Sequence, residues 1–346
     1  SNIFYNLGDL IKAEEHARKA IRIDVNNAKA HRNLSHVLIK KKQFTEGWKE
    51  YEWRWKVKDR KFKIGEKLQT SKPEWKSGAK GRIFLWAEQG IGDQILFSTL
   101  VPDLLKSVDE LVIKIDQRLI PLYKRTYGKN IMYIDENQIL NDREFDYQIP
   151  MGSLPKILRP SLLSFKNAEI VKLKIDEEKA KRYKKLIRQN ENEQLIGISW
   201  RSHSKLNKSK SINLEQLIKA TYRSNIKYIN LQYGDVKDEI DQIRKKYNIR
   251  ILEIEEIDKF NDIDSLAALI SNCDEIISIN NVTAHIAGSL NMRTKILLST
   301  NSSWDYGVNE SKNDWYNSMK LYRQKNPGDW QEILKKLSDD MEAKLN

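Results

Sequence analysis

Three stretches of this chain hold side chains that can do chemistry. The first is Glu88-Gln89-Gly90-Ile91-Gly92-Asp93-Gln94, which follows the apolar run Ile83–Ala87 and precedes Ile95-Leu96-Phe97. It reads as a buried strand, a glycine-containing turn and the start of a helix. Asp93 then sits at the helix N-cap or in its first turn. That puts a carboxylate at the mouth of an α/β sheet, where such folds do their chemistry. Asp is also a very common helix cap, and spacing alone leaves both roles open. Gly90 and Gly92 permit φ > 0 and close backbone approach.

The second stretch is Ser278-Ile279-Asn280-Asn281-Val282-Thr283-Ala284-His285-Ile286-Ala287-Gly288. A strand ends at Ile279, and Asn280 or Asn281 can cap the helix that follows. The free N–H groups of such a helix start suit a phosphate or diphosphate, and Thr283 adds a hydroxyl. His285, on the first turns, can donate to a phosphate oxygen or serve as a packing residue. The third stretch, Trp200-Arg201 to Ser211, is basic and rich in hydroxyls, and it directly follows a buried strand. Its Arg201 and Lys210 suit phosphate recognition, although a solvated charged loop has the same composition. Gln232-Tyr233-Gly234-Asp235 follows another strand end and can contact a ribose or base, or be a plain turn. The two strand–loop–helix junctions, at Asp93 and at Asn281, suggest a cleft with two walls.

Several chemistries are absent from the sequence. There is no GxxxxGK[ST] phosphate loop, no HExxH and no GxSxG, and the Glu88–Asp93 loop is not GxGxxG. The five histidines do not pair at metal-ligand spacing, so no metal site is expected. Cys273 is the only cysteine, which excludes an intrachain disulfide and is read as a small buried core residue.

The elements that must position these residues come from hydrophobic patterning. The chain has 346 residues, 40% hydrophobic and 32% charged, which suits two or three folded domains rather than one. Residues 1–57 read as helical. Gly8–Glu14 and Lys42–Trp48 match at an offset of 34 residues, the tetratricopeptide period. Small residues at Ala13, Ala20 and Gly47 let paired helices approach, and the aromatic run Trp48–Trp55 supplies a junction to the next domain. Residues 58–80 are polar and basic and read as a linker. Short apolar runs then alternate with amphipathic helices. Expected strands are Arg82–Ala87, Glu110–Ile115, Asn130–Ile134 and Tyr147–Ile149, with helices near 93–106, 117–126 and 153–158. A second block has strands at Leu195–Trp200, Lys227–Gln232, Arg250–Glu255, Glu275–Ile279 and Lys295–Thr300. Its helices lie near 213–223, 236–246, 262–272 and 282–290. The fold class is therefore α/β: two doubly wound, Rossmann-type domains, 81–185 and 186–325, preceded by an all-α segment and followed by an amphipathic helix over 326–346. The patterning leaves the sheet order open.

The net charge of +13 fits nucleic acid, anionic lipid or a polyanionic substrate. The lysines are scattered, however, and accompany many Ile and Asn, as in a genome-wide bias. Nucleic acid is not the expected partner. No apolar run reaches the roughly 18 residues of a membrane span, and Ser1–Tyr5 lacks the pattern of a signal peptide. A cytoplasmic protein is expected, with the inner face of the membrane as an alternative station. The missing initiator Met and the start within a helical repeat suggest part of a longer polypeptide with a truncated repeat array.

Taken together, six segments resemble a known family. They are Leu85–Asp93, Phe145–Pro155, Gly197–Arg201, Asn230–Asp235, Ile277–Gly288 and Trp315–Gln324. With the helical segment before them, they resemble bacterial tetratricopeptide-repeat (TPR) glycosyltransferases of the GT-B fold, whose catalytic part is similar to the lipopolysaccharide heptosyltransferases. The resemblance implies a nucleotide-diphosphate sugar as co-substrate, held mainly by the second domain, and a hydroxyl acceptor at the first. It implies no cofactor and no metal, with inversion by direct displacement. Asp93 matches the family's proposed general base, within an acceptor loop of Glu88, Gln89, Gly90, Gly92 and Gln94. Arg201 matches the loop that neutralises the leaving diphosphate, with Lys210 nearby. Gln232 falls where the ribose is contacted, and Asn280, Asn281, Thr283 and His285 fall on the diphosphate-binding helix start. The family often has Asp where this chain has Asn280. Asn can replace a capping Asp, whereas a charge that orients the ribose or Arg201 would be lost. The acceptor is a glycan, a lipid-linked sugar or a protein held by the repeats. The alternative reading is a non-catalytic TPR interaction module fused to a sugar-nucleotide-binding pseudoenzyme.

Overall fold

A computed structural model of the chain describes residues 1–57, 67–128, 130–138, 140–190, 192–202 and 209–342. The chain divides into two compact units, one made of Ser1–Lys174 with Ser303–Val308, the other of Ile175–Ser302 with Asn309–Asn346.

The first unit opens with helices α1 (Asn2–Asn6), α2 (Leu10–Ile23), α3 (Ala28–Lys40) and α4 (Phe44–Tyr51), then a 3-10 turn over Glu52–Lys56. The Asp9 side chain accepts from the N–H of Lys12 at 3.0 Å and caps α2; Asn27 does the same for α3 through Ala30. Leu10, Ala13 and Ala17 of α2 pack with Leu34, Val37 and Leu38 of α3. At Gly47 a Cβ would lie 2.8 Å from Ile39 Cγ1 and 3.1 Å from the Ile39 N, so the glycine lets α4 lie against α3. Helices α2 and α4 start 34 residues apart, as the sequence offset expects, but α4 is short and ends in the 3-10 turn.

After this helical segment come β1 (Arg82–Trp86), α5 (Ile91–Ser98), α6 (Val101–Leu105), β2 (Glu110–Ile115), α7 (Ile120–Tyr127), β3 (Met132–Asp135), β4 (Tyr147–Pro150), α8 (Leu154–Leu158) and α9 (Leu162–Lys166). The four strands are parallel in the order β3-β2-β1-β4. Ile83, Phe84, Leu85 and Trp86 are all buried, the continuous apolar run of a strand covered on both faces. The single helix expected over 93–106 is two. Thr99 Oγ1 donates to Leu96 O at 2.6 Å, and Pro102, which has no N–H, opens α6 as a new helix. The expected linker is also more than a linker. Trp75 N–H donates to Gln148 O, Gln148 N–H donates to Pro73 O, and the Trp75 ring is buried. A lone aromatic in a polar stretch gives no periodicity from which to read this pairing. Residues 58–66 lie outside the described residues.

The second unit holds α10 (Glu177–Ile187), β5 (Gln194–Ser199), α11 (Leu214–Thr221), β6 (Ile226–Asn230), α12 (Lys237–Tyr247), β7 (Ile251–Leu252), α13 (Ile263–Ile270), β8 (Glu275–Ile279), α14 (Val282–Ser289), β9 (Thr294–Leu298), β10 (Met319–Arg323) and α15 (Gln331–Glu342). Six parallel strands run in the order β10-β9-β8-β5-β6-β7. The chain starts at β5, winds outward to β7, then returns to β8 on the other side. This doubly wound order places a switch point between the carboxyl ends of β5 and β8. Strand β10 is not among the expected strands: Lys320, its second residue, is exposed and breaks the apolar run. Helix α10 belongs to this unit rather than to the first. Lys179 pairs with Asp264 at 3.1 Å, Arg188 with Asp274 at 2.8 Å, and Asn272 Nδ2 donates to Ala180 O. The expected C-terminal helix is α15, whose Ile333, Leu334, Leu337 and Met341 are buried in the core of this unit. Residues 343–346 lie outside the described residues.

Candidate functional site

In the first unit, the turn after β1 enters α5 through Gly90, whose extended backbone (φ −64°, ψ 163°) makes it the N-cap residue. Asp93 therefore lies in the first turn of α5 and is not the cap. The first turn of a helix is a favourable place for a carboxylate, because the unpaired N–H groups and the helix dipole face it. Neither Gly90 nor Gly92 has positive φ. A Cβ on Gly90 would lie 3.7 Å from Asp93 Oδ2, an ordinary van der Waals contact, so neither backbone angle nor space demands glycine there.

The rest of the loop is fixed from inside. Gln94 is buried: its Nε2 donates to Gln89 O at 2.9 Å, and its Oε1 accepts from the N–H of Asp116, at the end of β2, at 2.9 Å. Gln89 Oε1 accepts from Tyr51 OH at 3.0 Å, and Gln89 Nε2 donates to Glu88 Oε1 at 3.1 Å. Glu88 is 6% exposed and accepts from Gly152 N–H at 3.1 Å and from Arg54 Nη2 at 3.1 Å. Burial pushes the Glu88 carboxyl upward, and the Arg54 guanidinium opposes that shift. Burial likewise pushes the Tyr51 hydroxyl upward; Arg54 opposes this and the charge of Asp93 adds to it. Asp93 and the buried Tyr51–Arg54–Glu88 group thus share one electrostatic neighbourhood. Sequence reasoning missed Tyr51, Arg54, Gly152 and Ser153. A signal existed in Trp48–Trp55, where Arg54 stands among aromatics.

In the second unit, the switch point is knitted by side chains. Asn281 caps α14: its Oδ1 accepts from Ala284 N–H at 3.2 Å and from Ser278 Oγ at 3.1 Å. Its Nδ2 donates to Ser199 Oγ at 2.7 Å, joining the end of β8 to the end of β5. Ser199 Oγ donates in turn to Gln232 Oε1, which also accepts from the N–H groups of Trp200 and Arg201 at 3.0 and 2.7 Å. Gln232 is 1% exposed and its Nε2 donates to Tyr233 O. Its side chain therefore shapes the start of the Arg201 loop from within.

Arg201 Nη1 donates to Glu239 Oε1 at 2.5 Å, and Trp200 Nε1 donates to Glu239 Oε2 at 2.8 Å. The loop's ends are closed by Ser202 N–H to Ser211 Oγ and Ile212 N–H to Trp200 O. Lys210 is half-buried on the returning arm, while residues 203–208 of this loop lie outside the described residues. His285 is buried, with Nδ1 3.3 Å from Tyr316 OH. Among the described residues, two polar atoms at the α14 start find no hydrogen-bond partner: the Thr283 hydroxyl, on a fully buried residue, and the Asn280 side-chain amide nitrogen. Buried polar groups are normally satisfied, so these are donors without an acceptor among the described residues. Ser199 and Glu239 are the residues here that sequence reasoning missed; a single serine at a strand end, or one glutamate on a charged helix, carries no distinguishing signal.

Among the described residues, no group of three or more His, Cys, Asp or Glu is placed to hold a metal ion, and no helix is long and apolar enough to cross a membrane.

No protein-family model matches this chain. Protein FlbA of Caulobacter vibrioides is 25% identical to it over 311 residues, 84% of this chain and 51% of that protein, so the chain spans about half the length of the curated relative it matches. Among solved structures, a glycosyl transferase of family 9 from Veillonella parvula aligns over 70% of this chain and 86% of its own, with a TM-score of 0.52 and 14% identity. ADP-heptose lipopolysaccharide heptosyltransferase II of E. coli aligns over 77% of this chain and 100% of its own, with a TM-score of 0.52 and 13% identity. These likenesses establish the fold: a mixed α/β chain with parallel sheets, similar to the GT-B glycosyltransferases.

Proposed function

We propose that this chain is a glycosyltransferase that moves a sugar from a nucleotide-diphosphate donor to a hydroxyl acceptor, with inversion and without a metal. The observation that carries the reading is the switch point of the second unit. There, a helix capped by Asn281 offers first-turn N–H groups beside the unsatisfied Thr283 hydroxyl and Asn280 amide nitrogen. That is a set of donors suited to diphosphate oxygens. Arg201, now paired with the Glu239 carboxylate, adds a cation that can exchange one anionic partner for another.

In the reaction, the acceptor oxygen attacks the anomeric carbon and the bond from that carbon to the diphosphate oxygen breaks. The acceptor's proton passes to Asp93, and the nucleoside diphosphate leaves with its charge held by Arg201, Lys210 and the α14 start. One base and one displacement give inversion. The helical segment is read as tetratricopeptide repeats that hold a protein or the acceptor, and the donor's base and sugar follow from the panel below.

The test is a melting-temperature screen of the full chain against ADP, GDP, UDP and dTDP and their sugars, followed by turnover. A ligand at about 100 times its Kd stabilises the native state by about 2.7 kcal/mol. The reading expects a rise with at least one nucleoside diphosphate, and turnover of its sugar that Asp93→Asn slows at least about 100-fold. No rise with any of them, or full activity in Asp93→Asn, contradicts it.

A further inference from the structure

The first unit contains a buried charge cluster that the reaction above does not use. The Arg54 side chain is 0% exposed and that of Glu88 is 1% exposed. Arg54 Nη2 donates to Glu88 Oε1 at 3.1 Å and to Ser153 Oγ at 2.8 Å; Nη1 donates to Glu52 Oε1 at 2.7 Å. Ser153 Oγ closes the ring by donating to Glu52 Oε1 at 2.8 Å. The guanidinium also lies over two aromatic rings, 4.8 Å from the Tyr51 centroid and 4.5 Å from that of Trp55.

A buried ion pair is a poor source of stability, because losing hydration offsets the attraction, and a well-packed apolar pair is often as stable. What a hydrogen-bonded charge cluster does provide is a fixed geometry. Its location says what is being fixed. Glu88 lies between β1 and Asp93, on the loop that carries Asp93. Gly152 and Ser153 lie in the 3-10 turn Met151–Ser153 that follows β4. Arg54 comes from the helical segment. One guanidinium therefore ties three chain segments, distant in sequence, at the point where the winding of the first sheet reverses between β1 and β4. Tyr51 OH adds a parallel tie to Gln89.

We infer that Arg54 is a positioning residue: acting through Glu88, it sets the conformation of the loop that carries Asp93, so that the helical segment is a working part of the acceptor side and not a detachable module. The word "acceptor" rests on the function proposed above; the ordering of the loop does not.

The experiment uses the full chain and two readouts. Hydrogen–deuterium exchange reads the amides of residues 89–95 in wild type, Arg54→Met, Arg54→Lys and Glu88→Gln. Release of nucleoside diphosphate from the sugar nucleotide found in the screen reads kcat and KM. Arg54→Met is expected to speed exchange in the loop at least tenfold, with β1 and α3 unchanged. It is expected to lower kcat at least tenfold with donor KM within twofold of wild type, and Arg54→Lys recovers part of both. Loop exchange or kcat within twofold of wild type in Arg54→Met overturns the inference. So does a uniform loss of protection across the unit, which would make Arg54 merely structural. If Arg54→Met does not fold, Glu88→Gln, which keeps the shape, is read by the same criteria. If wild type turns over no sugar nucleotide, the proposed function falls, and the exchange readout still decides this inference.

Discussion

Thr283 is the residue at which folding and function make opposite demands. Its hydroxyl is buried with no partner among the described residues, so it lowers the stability of the ligand-free protein, and the proposed function assigns it to an anion. Thr283→Val removes the hydroxyl and keeps the shape. The free protein is expected to gain up to about 1 kcal/mol in urea unfolding, because an unsatisfied buried group has gone. Its affinity for the nucleoside diphosphate is expected to fall about tenfold by calorimetry, the loss of one hydrogen bond to a charged ligand. Asn281 behaves differently, because its side chain already bonds Ala284, Ser278 and Ser199. Asn281→Ala removes the cap on α14 and the link to Ser199, and is expected to cost about 1–2 kcal/mol of stability in the same assay. A loss of stability in Thr283→Val, or none in Asn281→Ala, would reverse these assignments.

At the scale of elements, the turn between β4 and α8 and the turn between β1 and α5 are built as one piece. A Cβ on Gly152 would sit 2.4 Å from Glu88 Oε1 and 2.6 Å from Gln89 Nε2. Glu88 cannot yield without leaving Arg54 and the Gly152 N–H. Gly152→Ala is therefore expected to lower stability by about 1–3 kcal/mol, the usual cost of overpacking, and to depress turnover together with it. An unchanged melting temperature would show that the loop is not held as described. In the second unit, α11 and α12 are stapled by Glu215, which accepts from Tyr247 OH, Lys246 and Lys219. These contacts, Tyr247 first, pull its carboxyl down to about 2. The folded value lies below the ordinary one, so the contribution is complete above the ordinary carboxyl range and is lost as pH falls through about 2. The stability difference between wild type and Glu215→Gln is expected to be largest near neutral pH and to shrink below about pH 4; a constant difference would contradict the staple.

The elements were largely legible because buried parallel strands write themselves as apolar runs. Glu110–Ile115 and Glu275–Ile279 match the expected bounds residue for residue. What could not be read is pairing across long separations. The sheet orders, the edge strand β10 with its exposed Lys320, and the docking of Trp75 beside β4 all depend on partners far away in sequence. The same limit applies to the site. Asp93 and the Asn281–His285 helix start announce themselves by position after a strand. Arg54 acts on a loop 34 residues away through a single carboxylate, and Gln232 turned inward to hold the backbone of residues 200 and 201. Neither fact is written in local spacing.

At the scale of the whole molecule, each unit gathers polar side chains at the end of its sheet where the winding reverses, and the two sets differ in chemistry. The first unit gathers carboxylates, an amide and a buried arginine around a helix start that bears Asp93. The second gathers helix-start donors, hydroxyls and Arg201. A surplus of 13 positive charges favours anionic substrates without itself making a site. The division of labour that this account assigns, proton acceptance by one unit and diphosphate recognition by the other, is tested most directly by nucleoside diphosphate release from a panel of sugar nucleotides. Wild type and Asp93→Asn are compared with water or an added glycan as acceptor. The account predicts release by wild type from at least one donor, slowed at least about 100-fold in Asp93→Asn, the scale of a lost general base. It also predicts the same nucleotide-induced rise in melting temperature in both proteins. Absence of release from every donor, or an equal rate in the two proteins, would contradict it.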